Sequence, residues 1–134
     1  MKIITAFLLV SFAAFSACKK EITQINEVNQ AFSAVYTIAP QDWKTTDNGI
    51  NYSVTFQIPE LDDNIYNNGA VLVYISFGSD YYEALPEVFD GITYGTIHSK
   101  GVVTIDLSAL DGSKITVPTQ AVSAKIILID AKPL

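Results

Sequence analysis

Cys18 is the only cysteine in a chain of 134 residues, and His98 is the only histidine. A thiol can be acylated or can ligate a metal, and an imidazole can take a proton from a nearby hydroxyl. One of each excludes an internal disulfide and the multi-ligand zinc sites built from these residue types. His98 stands beside Ser99, but a Ser/His/Asp triad needs both side chains to converge. Consecutive side chains of an extended segment point to opposite faces, and no Gly-x-Ser-x-Gly turn accompanies the pair. His98 therefore reads as a surface or turn residue. Carboxylates are more plentiful, but a glycosidase needs two facing each other across roughly 5–9 Å. Asp62 and Asp63 are adjacent and better suit the start of a short helix. Asp47-Asn48-Gly49-Ile50-Asn51 and Asp62-Asp63-Asn64 with Asn67 supply the oxygen ligands that calcium prefers. Neither has EF-hand spacing, and turn chemistry accounts for both. No metal ligand or cofactor is assigned, and a calcium-dependent binding domain stays an alternative.

Aromatic residues in or beside loops are the remaining opportunity. Trp43, Tyr81 and Tyr82 are candidate ligand contacts, because an exposed ring stacks on a sugar or anchors a protein partner. Trp43 has a competing place in the core below the first hairpin. One of the adjacent pair Tyr81 and Tyr82 is expected to pack inward and the other toward solvent. Tyr52 and Tyr74 lie within strand patterns and are expected in the core.

The overall charge narrows the partners. Fourteen Asp and Glu oppose eight Lys, with no Arg, for a net charge of −6 and a pI near 4.5. Nucleic-acid affinity rests on Lys and Arg neutralising phosphates, so a nucleic-acid partner is not expected. No group of residues here forms a catalytic constellation, and the chain is expected not to be an enzyme.

The first residues have a different character from the rest. Met1-Lys2 gives a short positive start, Ile3 to Phe15 is a 13-residue stretch broken only by Thr5 and Ser11, and small Ser16-Ala17 precede Cys18. This is the order of a secretory signal. As a helix the stretch would rise roughly 20 Å, short of the ~30 Å hydrocarbon core. Residues 1–17 are thus expected to be a removed leader. Phe15-Ser16-Ala17-Cys18 resembles the lipobox of bacterial lipoproteins, with Phe where an aliphatic residue is usual, a change that the looser lipoboxes of Bacteroidota tolerate. The resemblance implies that Cys18 receives a diacylglyceryl group and that the membrane is a partner through this lipid. Residues 18–30, the lipidated Cys and a polar stretch free of Gly and Pro, read as a tether.

From residue 31 to 134 the pattern is that of a β domain. After the leader, Ile and Val number 24 against 7 Leu, a bias toward pleated structure. Tyr52, Val54, Phe56 and Ile58 alternate with polar residues, as do Val103, Ile105 and Leu107. Ala70–Phe77 and Lys125–Ile129 are nearly continuous apolar runs, which suits central strands or strands buried on both faces. Weaker strand patterns cover Phe32–Ile38, Tyr81–Leu85, Ile92–His98 and Ile115–Val117, with Gly95 read as a bulge. Turn signals at Asp47-Asn48-Gly49, Asn67-Asn68-Gly69, Gly78-Ser79-Asp80, Asp90-Gly91, Lys100-Gly101 and Asp111-Gly112 separate them. Between Pro59 and Gly69, Leu61 and Ile65 share one helical face, with acidic residues at the N-terminal end and Gly69 available as the C′ residue. The expectation is an all-β sandwich of about seven strands with one short helix. An immunoglobulin-like order is one form, and a small closed barrel is the alternative.

The chain also resembles a family of small Bacteroidota lipoproteins of unknown function. The residues that carry the likeness are Trp43, Leu61, Ile65, the run Gly69-Ala-Val71-Leu-Val73-Tyr74, then Ala84-Leu85-Pro86 and the aliphatic strand 126–129. The resemblance implies a β-rich envelope domain and transfers no catalytic residue. The Cys18 context, the compact β domain and the lack of a catalytic constellation point to a lipid-anchored, non-catalytic accessory or adhesion-type module of the outer membrane; the aromatic loops make a glycan-binding component of an outer-membrane uptake system the alternative. Lys19-Lys20-Glu21 after the Cys leaves the membrane face open.

Overall fold

The computed structural model describes residues 30–78 and 80–133. The expected leader, Cys18 and the tether up to residue 29 lie outside the described residues. In chain order the strands are β1 (Ala31–Ile38), β2 (Asn51–Gln57), β3 (Ala70–Ser76), β4 (Glu83–Ala84), β5 (Glu87–Phe89), β6 (Ile92–Ser99), β7 (Val102–Ala109) and β8 (Val122–Ile129). Among the described residues one α-helix, α1 (Asp63–Asn68), joins β2 to β3, and a 3₁₀ turn at Pro40–Asp42 follows β1. The strands form two antiparallel four-stranded sheets, ordered β1-β8-β3-β4 and β2-β7-β6-β5, so the protein is an all-β sandwich.

The alternating residues fill the space between the sheets. Val103, Ile105 and Leu107 of β7 are fully buried, and Val122, Ala124, Ile126 and Leu128 of β8 face them from the other sheet. Each such aliphatic side chain contributes about 1.5–3 kcal/mol relative to exposure. Among the described residues the buried core side chains run from Ile38 to Leu128 and form one cluster, so residues 30–133 hold a core of their own. The hairpin from β5 to β6 pairs Phe89 with Ile92 across Asp90-Gly91, whose φ values of 50° and 76° are those of the primed turns that match strand twist.

α1 closes one end. The Asp62 carboxylate accepts from the amides of Asn64 and Ile65, both at 2.9 Å, and so caps the helix. Leu61 and Ile65 are both buried, as their spacing predicts. The β6–β7 turn is tied to the same corner: the Gly101 amide donates to the Leu61 carbonyl and the Ile58 amide to the Gly101 carbonyl, each at 2.8 Å.

Several expectations are corrected. The strand order is not the A-B-E-D over C-F-G order of immunoglobulin domains; the first strand pairs with the last, and β1 and β2 lie in opposite sheets. Ile115–Val117 is not a strand. Its Ile115 amide donates to the Gly49 carbonyl at 2.9 Å, and the segment lies across the sandwich as a loop. Gly95 is not a bulge: it stands opposite Asp106 in an unbroken register. Gly69 ends α1 with φ −91°, outside the left-handed region, so its role is not that of a left-handed C′ residue. The Glu87–Phe89 strand lacked any sequence signal strong enough to mark it, being three residues long with an acidic start.

Candidate functional site

The candidate site is the outer face of the β1-β8-β3-β4 sheet. Lys125 of β8 lies opposite Val35 of β1 and Tyr74 of β3, and Tyr74 in turn lies opposite Ala84 of β4. Because Ala124 and Ile126 point inward, Lys125 must point outward. Its Nζ sits 5.0 Å from the Tyr74 ring centroid and 4.2 Å from that of Tyr82. A cation over two ring faces gains roughly 0.5–1 kcal/mol per exposed contact and holds both rings in place. Below this cluster the next row pairs Leu72 with Ile127, and Leu72 is 39% exposed. The face therefore offers a cation, two aromatic rings and a short apolar stripe. It can stack against a flat apolar surface, and it supplies no nucleophile paired with a base.

Tyr82 was expected near such a surface and is 39% exposed. Tyr81 is 63% exposed, so neither of the pair packs inward, contrary to the alternation argument. They precede the two-residue β4, where no long pleated register forces one ring toward the core. Tyr74 was expected inside but stands on the outer face, because Val73 and Ile75 occupy the inward positions of β3. Only the pairing of β3 with β8 shows which of two alternating sets in an apolar run faces out.

Trp43 is corrected outright as a ligand contact. It is 4% exposed and belongs to the core cluster. The Pro40–Asp42 turn carries the chain from one sheet to the other, with the Asp42 carboxylate accepting from the Ala39 amide at 2.8 Å. Lys44 then pairs with Ser53 through two backbone hydrogen bonds of 2.9 and 2.8 Å. Between these fixed points the Trp43 ring is directed into the sandwich, where its area is better buried than exposed.

The oxygen-rich loops are occupied by their own hydrogen bonds. Asp47 accepts from the Thr45 hydroxyl and the Asn51 amide, both at 2.9 Å, and from the Asn51 side chain. These bonds, the Asn51 amide foremost, hold its pKa down from 3.8 to about 2. A lowered folded-state pKa adds stability that is present above the ordinary carboxylate value and is lost as pH falls through about 2. Asp47→Asn is thus expected to flatten the acid limb of the melting-temperature profile between about pH 4 and pH 2. Superimposable profiles would show that the loop does not hold this carboxylate. Asp62 caps α1, and Asp63 makes an exposed 2.7 Å ion pair with Lys100. Among the described residues no group of three or more His, Cys, Asp and Glu side chains is arranged to hold a metal.

His98 is exposed, its ring edge-on to Tyr66 at 6.2 Å between centroids. Glu83 and Glu87 form a carboxyl pair that the sequence reading did not single out. Desolvation first, then the neighbouring charge and hydrogen bond of Glu83, push the Glu87 pKa up. Comparison of the chain with protein-family models, curated proteins and solved structures finds no match in any of the three.

Proposed function

We propose that this chain is a lipid-anchored protein of the bacterial outer membrane, a non-catalytic accessory or adhesion-type module. The observation that carries the reading is Cys18, the only thiol in the sequence, placed directly after a 13-residue apolar stretch and Ser16-Ala17. Two or more acyl chains on that sulfur would give stable attachment, since each buried methylene contributes about 0.8 kcal/mol. Among the described residues no helix is long and apolar enough to cross a membrane. The two-sheet domain would then stand off the bilayer on residues 18–30.

Growth of the expressing bacterium with radioactive palmitate tests the anchor. Label is expected in the wild-type band and in the membrane fraction, and Cys18→Ala is expected to lose both. No incorporation, or label that survives the substitution, would overturn the reading. The Tyr82–Lys125–Tyr74 cluster favours a second reading, in which the same module contacts a glycan through its outer face. That reading rests on Tyr82, whose ring is the more exposed of the two.

A further inference from the structure

We infer that the outer edge of β1, which pairs with no strand among the described residues, is a self-association surface, and that its occupant is β1 of a second copy of this chain. The four sheet edges are treated differently. β4 and β5 are only two and three residues long, and β2 carries the Lys44–Ser53 bridge on its outer side. β1 is eight residues long, Ala-Phe-Ser-Ala-Val-Tyr-Thr-Ile, with no charge, no Pro and no bulge in its register. Natural sheets protect long edges with those devices, and this edge has none of them.

The phase of the free backbone groups follows from one bond. The Asp130 amide donates to the Gln30 carbonyl at 2.9 Å, and the register continues Ala31 opposite Ile129. Hydrogen-bonded pairs alternate in an antiparallel ladder. Phe32, Ala34 and Tyr36 therefore bond to β8, while Ala31, Ser33, Val35 and Thr37 turn their amides and carbonyls away from the sheet. Two such edges close completely when related by a two-fold axis at Ala34. Ser33 then faces Val35 of the other copy and Ala31 faces Thr37, so every outward group finds a partner.

The side chains have the same symmetry. On the inner face Phe32 and Tyr36 are equidistant from Ala34, so each copy's Phe32 meets the other's Tyr36 and the two Ala34 residues meet at the axis. The structure leaves room for this. Tyr36 fills the flank of the sandwich against Phe56 at 4.8 Å between ring centroids. Beyond it, beside the small Ala34, a groove of about 250 Å³ opens between β1, Ile58 and Glu60, floored by Ile126 and Leu128. Phe32 on its rim is 40% exposed. Charge selects the same surface: the chain carries −6, and β1 presents no charged side chain to repel its own copy, Glu60 being the only charge lining the groove. The pairing would join the two β1-β8-β3-β4 sheets into one.

Two experiments decide the matter, and neither depends on the proposed anchor. In sedimentation equilibrium, residues 30–133 are expected to show a concentration-dependent dimer that Val35→Lys weakens by about tenfold or more. In the full chain, Ala34→Cys is expected to give a disulfide-linked dimer in oxidised cell envelopes. Unbonded antiparallel pairs place Cα atoms ~4.5 Å apart, within disulfide reach. Thr37→Cys, which would face residue 31 instead, is expected to give no disulfide-linked dimer. A segment that remains monomeric at ~200 µM, together with an Ala34→Cys chain that does not cross-link, would overturn the inference. Binding of the isolated 31–38 peptide to a chain that stays monomeric would also overturn it, and would assign the edge to a foreign strand.

Discussion

Trp43→Ala is expected to destabilise the domain by about 3–5 kcal/mol, the range for removing a large buried aromatic side chain. The ring is 4% exposed within a core that also holds Ile38, Phe56 and Ile105, and its loss leaves a cavity between two sheets pinned on either side of it. The neighbouring constraints are covalent and hydrogen-bonded: the Pro40–Asp42 turn before it and the Lys44–Ser53 bridge after it limit how far the site can collapse. Trp43→Phe should cost distinctly less. It keeps most of the apolar volume and removes an Nε1 that has no hydrogen-bond partner among the described residues. Urea denaturation of the three proteins checks the order; equal midpoints for Trp43→Ala and wild type would mean that the ring does not support the core. The consequence for function is direct. A loss of glycan-array signal in Trp43→Ala would report unfolding, whereas Tyr82→Ala, at an exposed ring, should leave the unfolding free energy within about 1 kcal/mol of wild type. Only the second substitution can test a sugar contact, and array signal unchanged by it would remove that reading.

The parts of this fold legible in the sequence are those where periodicity is unambiguous. Tyr52 to Ile58 and Val103 to Leu107 alternate apolar with polar residues, and each forms a strand with the expected face inward. Asp62, Leu61 and Ile65 mark a helix start because capping and a shared face are local properties. Continuous apolar runs are different. In Ala70–Phe77 and Lys125–Ile129 both alternating sets are apolar, so composition does not say which set faces the core. That ambiguity hid the outward Tyr74 and Leu72, and with them most of the candidate site. Trp43 as a ligand contact, and the expectation that one of Tyr81 and Tyr82 packs inward, failed for a related reason: in short irregular segments, direction is set by the flanking hydrogen bonds and turns rather than by residue type. Lys125 carried the clearest missed signal. A charge inside an otherwise aliphatic run must reach the surface, and its immediate neighbours across the sheet define the exposed patch.

The arrangement of the two faces bears on how the proposed module would act. Apolar and aromatic groups are exposed on the outer face of one sheet and on that sheet's β1 edge, and Val88, Phe89 and Ile97 are exposed on strands of the other sheet. Ligand pockets for small molecules usually bury most of the ligand among convergent polar groups. A flat face next to an open strand edge suits an extended surface better, which is why the module is proposed to contact macromolecules. Acidic charge over the remainder of the chain keeps non-specific association down and leaves the uncharged strand edge as the favoured contact.

Gly69→Ala is expected to destabilise the domain by about 2 kcal/mol, less than the loss of Trp43 and by a different route. A Cβ at this position would lie 2.2 Å from the Ile129 carbonyl oxygen, 2.9 Å from the Ile65 carbonyl oxygen and 3.0 Å from the Ile65 Cα. All three are backbone atoms, so no side-chain rotation relieves the overlap. Backbone torsion is not the obstacle, since φ of −91° is open to alanine. The position is where α1 hands over to β3: the Gly69 amide donates to the Ile65 carbonyl at 2.9 Å, and the next residue, Ala70, pairs with Ile129. Making room must move either the end of the helix, which carries buried Ile65, or the end of β8, which also pairs with β1. Overpacking of this kind costs about 1–3 kcal/mol, and the rigid surroundings place it at the upper end. A smaller unfolded-state gain of about 0.4–1 kcal/mol for Gly→Ala opposes it. Gly95→Ala supplies the control. The three atoms nearest its Cβ would all belong to the Asp106 carboxylate, at 2.7 Å for the nearer oxygen, and that side chain can rotate away. Denaturation midpoints should therefore fall far more for Gly69→Ala than for Gly95→Ala. Equal falls would show that the helix-to-strand junction is not held by backbone contact.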